Sequence, residues 1–469
     1  MNGARLNRVR FPALASVAAV LASLACGGTV AKLRELAEPA STPRPAEIAS
    51  PPTGEVKPKS KPTAEPVEEV PEQAASGQAS EAEAIQVVAE GFAQDETELA
   101  FGLLLKNPNA ELAIERAQYQ MAAYDGAGSV VGTESGTIPL VLPGQELGFV
   151  SETRLAEGVT VSELEVQIKE GWAVQIEPVP MLEVASIRTY ERAFFSGVAA
   201  LISNSSDQDV KDVRVSAVPY DDGGQIIGGG STLVDFVPSK GRIGVTMSYI
   251  SSGDASRVEL YPMVSSASSL GAEDDVPEGA QGIAKLRQGF AQKDREAAYA
   301  LLIENPNSGL AIEGSQYCAT GFSPDGQVLA TDGGIVGVLL PGQTVGVAGE
   351  LWLGEGEAVD HVEIALKVGA FAACDPLPSL TGENLAYQED EYLPKVTGEI
   401  VNPYTKDVTY LRVSAIAYDQ AGQIIGGGYH DMDVVPAEGH AAIEVPVTVA
   451  GVPETVELYA VPSSLSDIQ

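Results

Sequence analysis

From residue 83 onward, short runs alternate apolar with small or polar positions, the two-residue period of a strand with one buried face. Near the end of the chain such runs cover residues 395–401, 411–418, 423–427, 441–449 and 455–460. The turn signals Asn402-Pro403, Ala421-Gly422, Pro436-Ala437-Glu438-Gly439 and Gly451-Val452-Pro453 separate them. Short strands, closely spaced turns and the lack of a strong amphipathic helix predict an all-β sandwich.

One hairpin recurs. An alternating run ends in Tyr418-Asp419-Gln420-Ala421-Gly422-Gln423-Ile424-Ile425-Gly426, and Tyr220 to Gly228 and Tyr124 to Gly132 repeat the pattern. A degraded copy runs from Phe322-Ser323-Pro324-Asp325-Gly326 to Ala330. The aspartate caps the turn and the glycine supplies positive φ, which assigns Asp125 and Gly128, Asp221 and Gly224, Asp325 and Gly326, and Asp419 and Gly422 to four structural turns.

The hairpins sit inside a longer duplication. Gly91-Phe92-Ala93-Gln94 returns as Gly289-Phe290-Ala291-Gln292, 198 residues later. Asn107-Pro108-Asn109 returns at Asn305, Leu142-Pro143-Gly144-Gln145 at Leu340, and Val258-Glu259-Leu260-Tyr261 at Val456, all at the same interval. Each unit divides into two related halves, so four tandem β-sandwich modules arranged as a duplicated pair are expected at 83–177, 178–268, 281–376 and 377–469. The Ser-, Gly- and acid-rich stretch 269–280 is the linker between pairs.

The N-terminal region differs in kind. Arg5, Arg8 and Arg10 precede an apolar run from Phe11 to Ala25 that is too short to span a bilayer comfortably, the layout of an export signal. It ends Leu21-Ala22-Ser23-Leu24-Ala25-Cys26, which resembles a bacterial lipoprotein lipobox. The family pattern prefers leucine three places before the cysteine, where this chain has Ser23. The expectation is a signal peptide over 1–26, lipidation of Cys26, and anchoring at the extracytoplasmic face of a bacterial membrane. Residues 27–82, rich in Pro, Glu and Ala, cannot bury enough apolar surface to offset ordering entropy and predict a disordered spacer. At the polyproline rise its contour would be on the order of 150 Å.

The modules resemble FxLYD domains, an immunoglobulin-like family of exported and membrane-attached bacterial and archaeal proteins. Ala123-Tyr124-Asp125, Pro219-Tyr220-Asp221 and Ala417-Tyr418-Asp419, each with its downstream glycine, carry the resemblance, and the second and fourth modules carry it most fully. The third departs, with Phe322-Ser323 in place of Tyr-Asp. The resemblance implies a β-sandwich fold and no catalytic activity.

Candidate chemistry is sparse. A formal charge of −37 argues against nucleic-acid binding, which needs clustered cations. The chain has three histidines and none of the H-E-x-x-H, G-x-S-x-G, Walker or C-x-x-C patterns. Alternation separates His430 from Asp431 and Asp433, so no metal site is assigned there. The triplets Gly228-Gly229-Gly230 and Gly426-Gly427-Gly428 follow strands with no helix after them, which suits bulged or crossing strands better than phosphate loops. Trp172 and Trp352 lie near strand patterns and are expected to fill a core or interface. Cys318 and Cys374 occur together in the third module and are absent together from the first, which predicts a disulfide; two separate buried thiols are the alternative.

Together these features predict a non-enzymatic cell-envelope lipoprotein, without cofactor or metal, presenting β-modules to a protein or glycan partner for interaction, adhesion or scaffolding. The alternative is an extracytoplasmic ligand-binding protein, for carbohydrate or Ca²⁺, with sites between paired modules.

Overall fold

The structure, a computed structural model, describes residues 82–169, 171–176, 182–192, 195–265 and 276–468. The export signal, Cys26, nearly all of the spacer and most of the linker lie outside them.

The chain is all-β. In the first module β1 (Gln86–Asp95), β2 (Glu98–Lys106) and β5 (Glu146–Arg154) form one antiparallel sheet in the order β1-β2-β5. It faces a second sheet in which β3 (Leu112–Tyr124) lies between β4 (Val130–Val141) and the successive strands β6 (Glu163–Lys169) and β7 (Trp172–Gln175). Alternate residues of β2, Leu99, Phe101, Leu103 and Leu105, point inward against Tyr119 and Met121 of β3 and form the core. This strand order fits an immunoglobulin-like sandwich.

The second module contains β8 (Glu183–Arg192), β9 (Phe195–Ser203), β10 (Val210–Tyr220), β11 (Gly228–Val237), β12 (Arg242–Ser251) and β13 (Arg257–Met263), joined through Gly228 and Gly229 into one six-stranded sheet in the order β13-β10-β11-β12-β9-β8. The third contains β14 (Ala284–Lys293), β15 (Glu296–Glu304), β16 (Leu310–Phe322), β17 (Val328–Leu339), β18 (Thr344–Trp352), β19 (His361–Lys367) and β20 (Ala370–Ala373). The first seven strands therefore recur, end for end, 198 residues on. The fourth contains β21 (Thr381–Gln388), β22 (Lys395–Val401), β23 (Val408–Tyr418), β24 (Ile424–Val435), β25 (His440–Pro446), β26 (Thr448–Val449) and β27 (Thr455–Val461). Even unusual backbone angles repeat, with φ of 51° at Asp212 and 54° at Tyr410, and 142° at Gly228 and 139° at Gly426.

The expected single strand over 441–449 is split. β25 pairs with β22, whereas β26 pairs with β24 through Gly426↔Val449 and Gly427↔Thr448. The chain crosses between sheets here, and the glycines permit it. A Cβ on Gly426 would lie 2.1 Å from the Thr448 carbonyl oxygen, and one on Gly428 2.0 Å from that of Pro446. The glycine triplets are thus crossing points for backbone.

Each module is pinned by one buried asparagine. Asn107, Asn204, Asn305 and Asn402 are 0%, 2%, 0% and 1% exposed. The Asn305 side-chain amide donates to the carbonyls of Leu310, Leu339 and Leu340 at 2.8–3.1 Å, while its Oδ1 accepts the Asn307 amide at 3.0 Å. Asn402 bonds Lys406, Val435, Pro436 and Tyr404 in the same way. The side chain satisfies backbone groups of two separate loops where neither sheet can.

The modules dock on one another, and residues 83–469 pack as a single compact unit. One expectation fails: Cys318 and Cys374 are not bonded to each other. Cys318 lies mid-way along β16, opposite Gly333 and Ala365, and packs with the second module's core. Cys374 follows β20, its amide bonded to the Gly309 carbonyl at 3.2 Å, and packs with the fourth module's core. At about 3.3 Å per strand residue the two are on the order of 25 Å apart, far beyond disulfide reach. A shared module in the sequence did not mean a shared core. Accordingly, reductant should leave the melting temperature unchanged, and intact-mass analysis of the denatured, unreduced protein should show both thiols open to alkylation.

Candidate functional site

The turn aspartates are turned inward on their own hairpins. Asp125 Oδ1 accepts the amides of Ala127 and Ser129 at 2.9 Å, and Asp419 Oδ1 those of Ala421 and Gln423 at 2.9 and 2.8 Å. Asp221 Oδ1 accepts the Gln225 amide at 2.8 Å. Gly128, Gly224, Gly326 and Gly422 all have φ between 71° and 78°. In the third hairpin the expected Asp325 is not the cap. Ser323 Oγ accepts the Gln327 amide at 3.0 Å, and its hydroxyl donates to Asp325. Among the described residues, no three His, Cys, Asp or Glu side chains converge as a metal-binding group.

What these hairpins build is a series of junctions. The residues flanking each turn in the second, third and fourth modules pack on strands of the preceding module. Val218, Tyr220 and Ile226 pack on Val150 and Leu104; Phe322 and Val328 on Ala199 and Leu201; Ile416, Tyr418 and Ile424 on Ala300, Leu302 and Ala348. The repeated Gly91 and Gly289 are close-approach sites, since a Cβ there would lie 1.9 Å from the Ile226 carbonyl oxygen and 2.3 Å from that of Ile424. The repeated glutamines are internal braces. Gln94 bonds the Val159 carbonyl and the Val161 amide, and Gln292 those of Glu357 and Val359.

Junctions within a pair share a polar clamp. Arg214 Nη2 donates to the Val150 carbonyl at 2.6 Å, and Ser216 Oγ accepts the Val150 amide at 3.2 Å. In the second pair Arg412 and Ser414 hold Ala348 at 2.9 and 3.2 Å, and the Arg412 guanidinium lies 3.6 Å from the Tyr429 ring centroid. Carboxylates collect around each arginine. Asp332 accepts the Tyr299 hydroxyl at 2.7 Å, and Glu134 accepts from Tyr119 and Ser151 at 2.9 and 2.6 Å. Burial, with Glu296 and Asp332 nearby, pushes the Glu350 carboxyl up to about 7. The junction between pairs is held by Arg188–Glu357 and Arg242–Glu363 ion pairs, at 2.6 and 2.5 Å, and by a 2.8 Å Thr246–Thr331 hydroxyl bond.

Beside the first junction opens a cleft of about 380 Å³. Gln94, Asp95 and Glu152 line it from the first module, and Glu191, Arg192, Phe195, Ser248 and Tyr249 from the second. Burial raises the Glu152 pKa, offset in part by the Ser231 amide it accepts. Arg192 stacks on Tyr190 and Phe195, with 5.1 and 5.9 Å to the ring centroids, and donates to the Trp352 carbonyl at 3.0 Å.

The tryptophans depart from expectation: Trp172 is 65% and Trp352 46% exposed, so neither fills a core. Trp172 lies under Arg116, 5.7 Å from guanidinium to ring. His361 stacks on Phe322 at 4.9 Å and bonds Asp360, and His430 and His440 lie on the surface. Sequence reasoning missed the buried asparagines and the clamp arginines. The recurrence of Asn107 at Asn305 and of Arg214 at Arg412, both 198 residues on, was the available signal. No protein-family model matches the chain, and no curated protein is significantly similar to it.

Proposed function

We propose that the chain is a non-enzymatic, exported lipoprotein of the FxLYD type that holds a stiff stack of β-sandwich modules away from a membrane, as a scaffold for a protein or glycan partner. The observation that carries this reading is the contrast between docked and terminal faces. Five and three residues before the buried asparagines, the docked sheets carry Gly102, Ala199 and Ala300, then Leu104, Leu201 and Leu302. In the last module these positions are Thr397 and Glu399, beside a 2.6 Å Lys395–Glu444 ion pair. At the other end, the hairpin position of Ile226, Val328 and Ile424 is Val130, 57% exposed and near Tyr124, whose hydroxyl donates to Glu165. Apolar faces between neighbouring modules are the organisation of a stacked repeat array.

The anchor is tested by fractionation. Wild-type protein should sediment with membranes and enter the detergent phase, whereas Cys26→Ala should not. Equal partitioning of the two would remove the lipid anchor from the reading.

A further inference from the structure

The three junctions are not built alike. Within each pair the hairpin carbonyl of Ile226 or Ile424 lies directly against a glycine of the preceding module, Gly91 or Gly289. At the middle junction the matching strand position, opposite Ala199 as Gly91 is opposite Gly102, is Arg188. Its guanidinium stands between the modules. Nε donates to the Val328 carbonyl at 3.2 Å, Nη2 to that of Leu329 at 3.3 Å, and Nη1 pairs with Glu357 at 2.6 Å. The arginine–serine clamp is missing there as well. Gln316 and Cys318 precede Phe322 at the spacing by which Arg214 and Ser216 precede Tyr220. In place of the clamp, Arg242 pairs across the junction with Glu363 at 2.5 Å, both side chains being partly exposed, and Arg192 donates to the Trp352 carbonyl. The fourth module has Ala386, Asp390 and His440 where the second has Arg188, Arg192 and Arg242, so the sandwich itself does not need these cations.

We propose that the middle junction is an ionic joint between two stiff pairs, 83–265 and 276–468, held shut by the Arg188–Glu357 and Arg242–Glu363 contacts and loosened as ionic strength rises. Between 0.1 and 1 M salt the Debye length falls from about 10 to about 3 Å, the scale of contact ion pairs. Repulsion between the acidic modules acts over longer distances and is already largely screened at the lower of these concentrations. The clamps within pairs bond neutral carbonyls amid apolar packing, so salt leaves them in place. The stack is then rigid inside each pair and jointed between them. The inference rests on the stacked arrangement in the proposed function and is independent of lipidation at Cys26.

Double electron–electron resonance on the full chain tests it, with nitroxides on cysteines introduced at exposed positions in a Cys26→Ala background, Cys318 and Cys374 being buried. Leu233→Cys with Ile335→Cys spans the joint, while Val130→Cys with Leu233→Cys and Ile335→Cys with Tyr410→Cys report on the two pairs. At 0.1 M salt all three distance distributions should be narrow. At 1 M the one across the joint should at least double in width, and the other two should not change. Arg188→Gln combined with Arg242→Gln should give the broad distribution already at 0.1 M, with unchanged widths inside the pairs showing that the modules remain folded. Arg242→Glu should broaden it too, and adding Glu363→Arg should narrow it again. A width across the joint that ignores both salt and the double substitution, broadening inside the pairs to the same extent, or failure of Glu363→Arg to rescue Arg242→Glu would overturn the proposal.

Discussion

Replacing Asn305 with alanine should cost about 3–5 kcal/mol of stability, a large single-residue effect for a substitution that opens little volume. The side chain is fully buried and bonds three carbonyls and one amide from two loops. Alanine would strip those buried backbone groups of partners that water cannot replace. Asn305→Asp, nearly identical in shape, should be at least as harmful, because it sets a carboxylate oxygen against the same carbonyls. Asn307→Ala should cost less, since Asn307 mainly supports the Asn305 oxygen and the Gln281 carbonyl. Urea unfolding at constant m separates the outcomes. A loss under about 1 kcal/mol for Asn305→Ala would mean the asparagine merely occupies space.

The second large effect is one of pH. Glu350 on β18 faces Glu296 of β15, Asp332 of β17 and Arg412 and Tyr429 of the fourth module, so three carboxylates share one guanidinium. Its counterpart Glu152 is better compensated, since it accepts the Ser231 amide and its neighbour Glu98 is paired with Arg154 at 2.6 Å. In the second pair Tyr429 stands for Ser231 and Trp352 for Arg154. With a folded pKa near 7 against 4.5 unfolded, the folded chain keeps a proton that the unfolded chain releases. The resulting stability is fully present below about pH 4.5 and is lost as pH rises through 7. After discounting for partial exposure, the expected loss between pH 5 and 8 is about 2 kcal/mol. Glu350→Gln should flatten that slope, and Trp352→Arg should shrink it by restoring the missing cation. An unchanged slope in Glu350→Gln would place the pH dependence elsewhere.

Much of the fold was legible because strands and turns are written locally. Alternation located the sandwich strands, and Asp-x-x-Gly located three of the four hairpins. The fourth was located by Asp325-Gly326, and only its cap differs, since the Ser323 hydroxyl takes the aspartate's place. The 198-residue register predicted the strand recurrence, although not the docking of one module on the next. That depends on Gly91 and Gly289, whose role appears only when a neighbouring carbonyl is in place. The cysteine pairing failed for a related reason: β16 is long enough to carry Cys318 to one junction while Cys374 lies at another. The cleft was illegible because its walls come from two modules, Asp95 from the first and Glu191 from the second.

The central claim is that three of the four hairpins are buried against a neighbouring module and the first is not. Amide hydrogen exchange compares them within one molecule. Residues 226–228, 328–330 and 424–426 should exchange slowly, at rates like those of the strand cores, while 130–132, the same hairpin without a neighbour, should exchange far faster. Equal rates in all four hairpins would contradict head-to-tail docking.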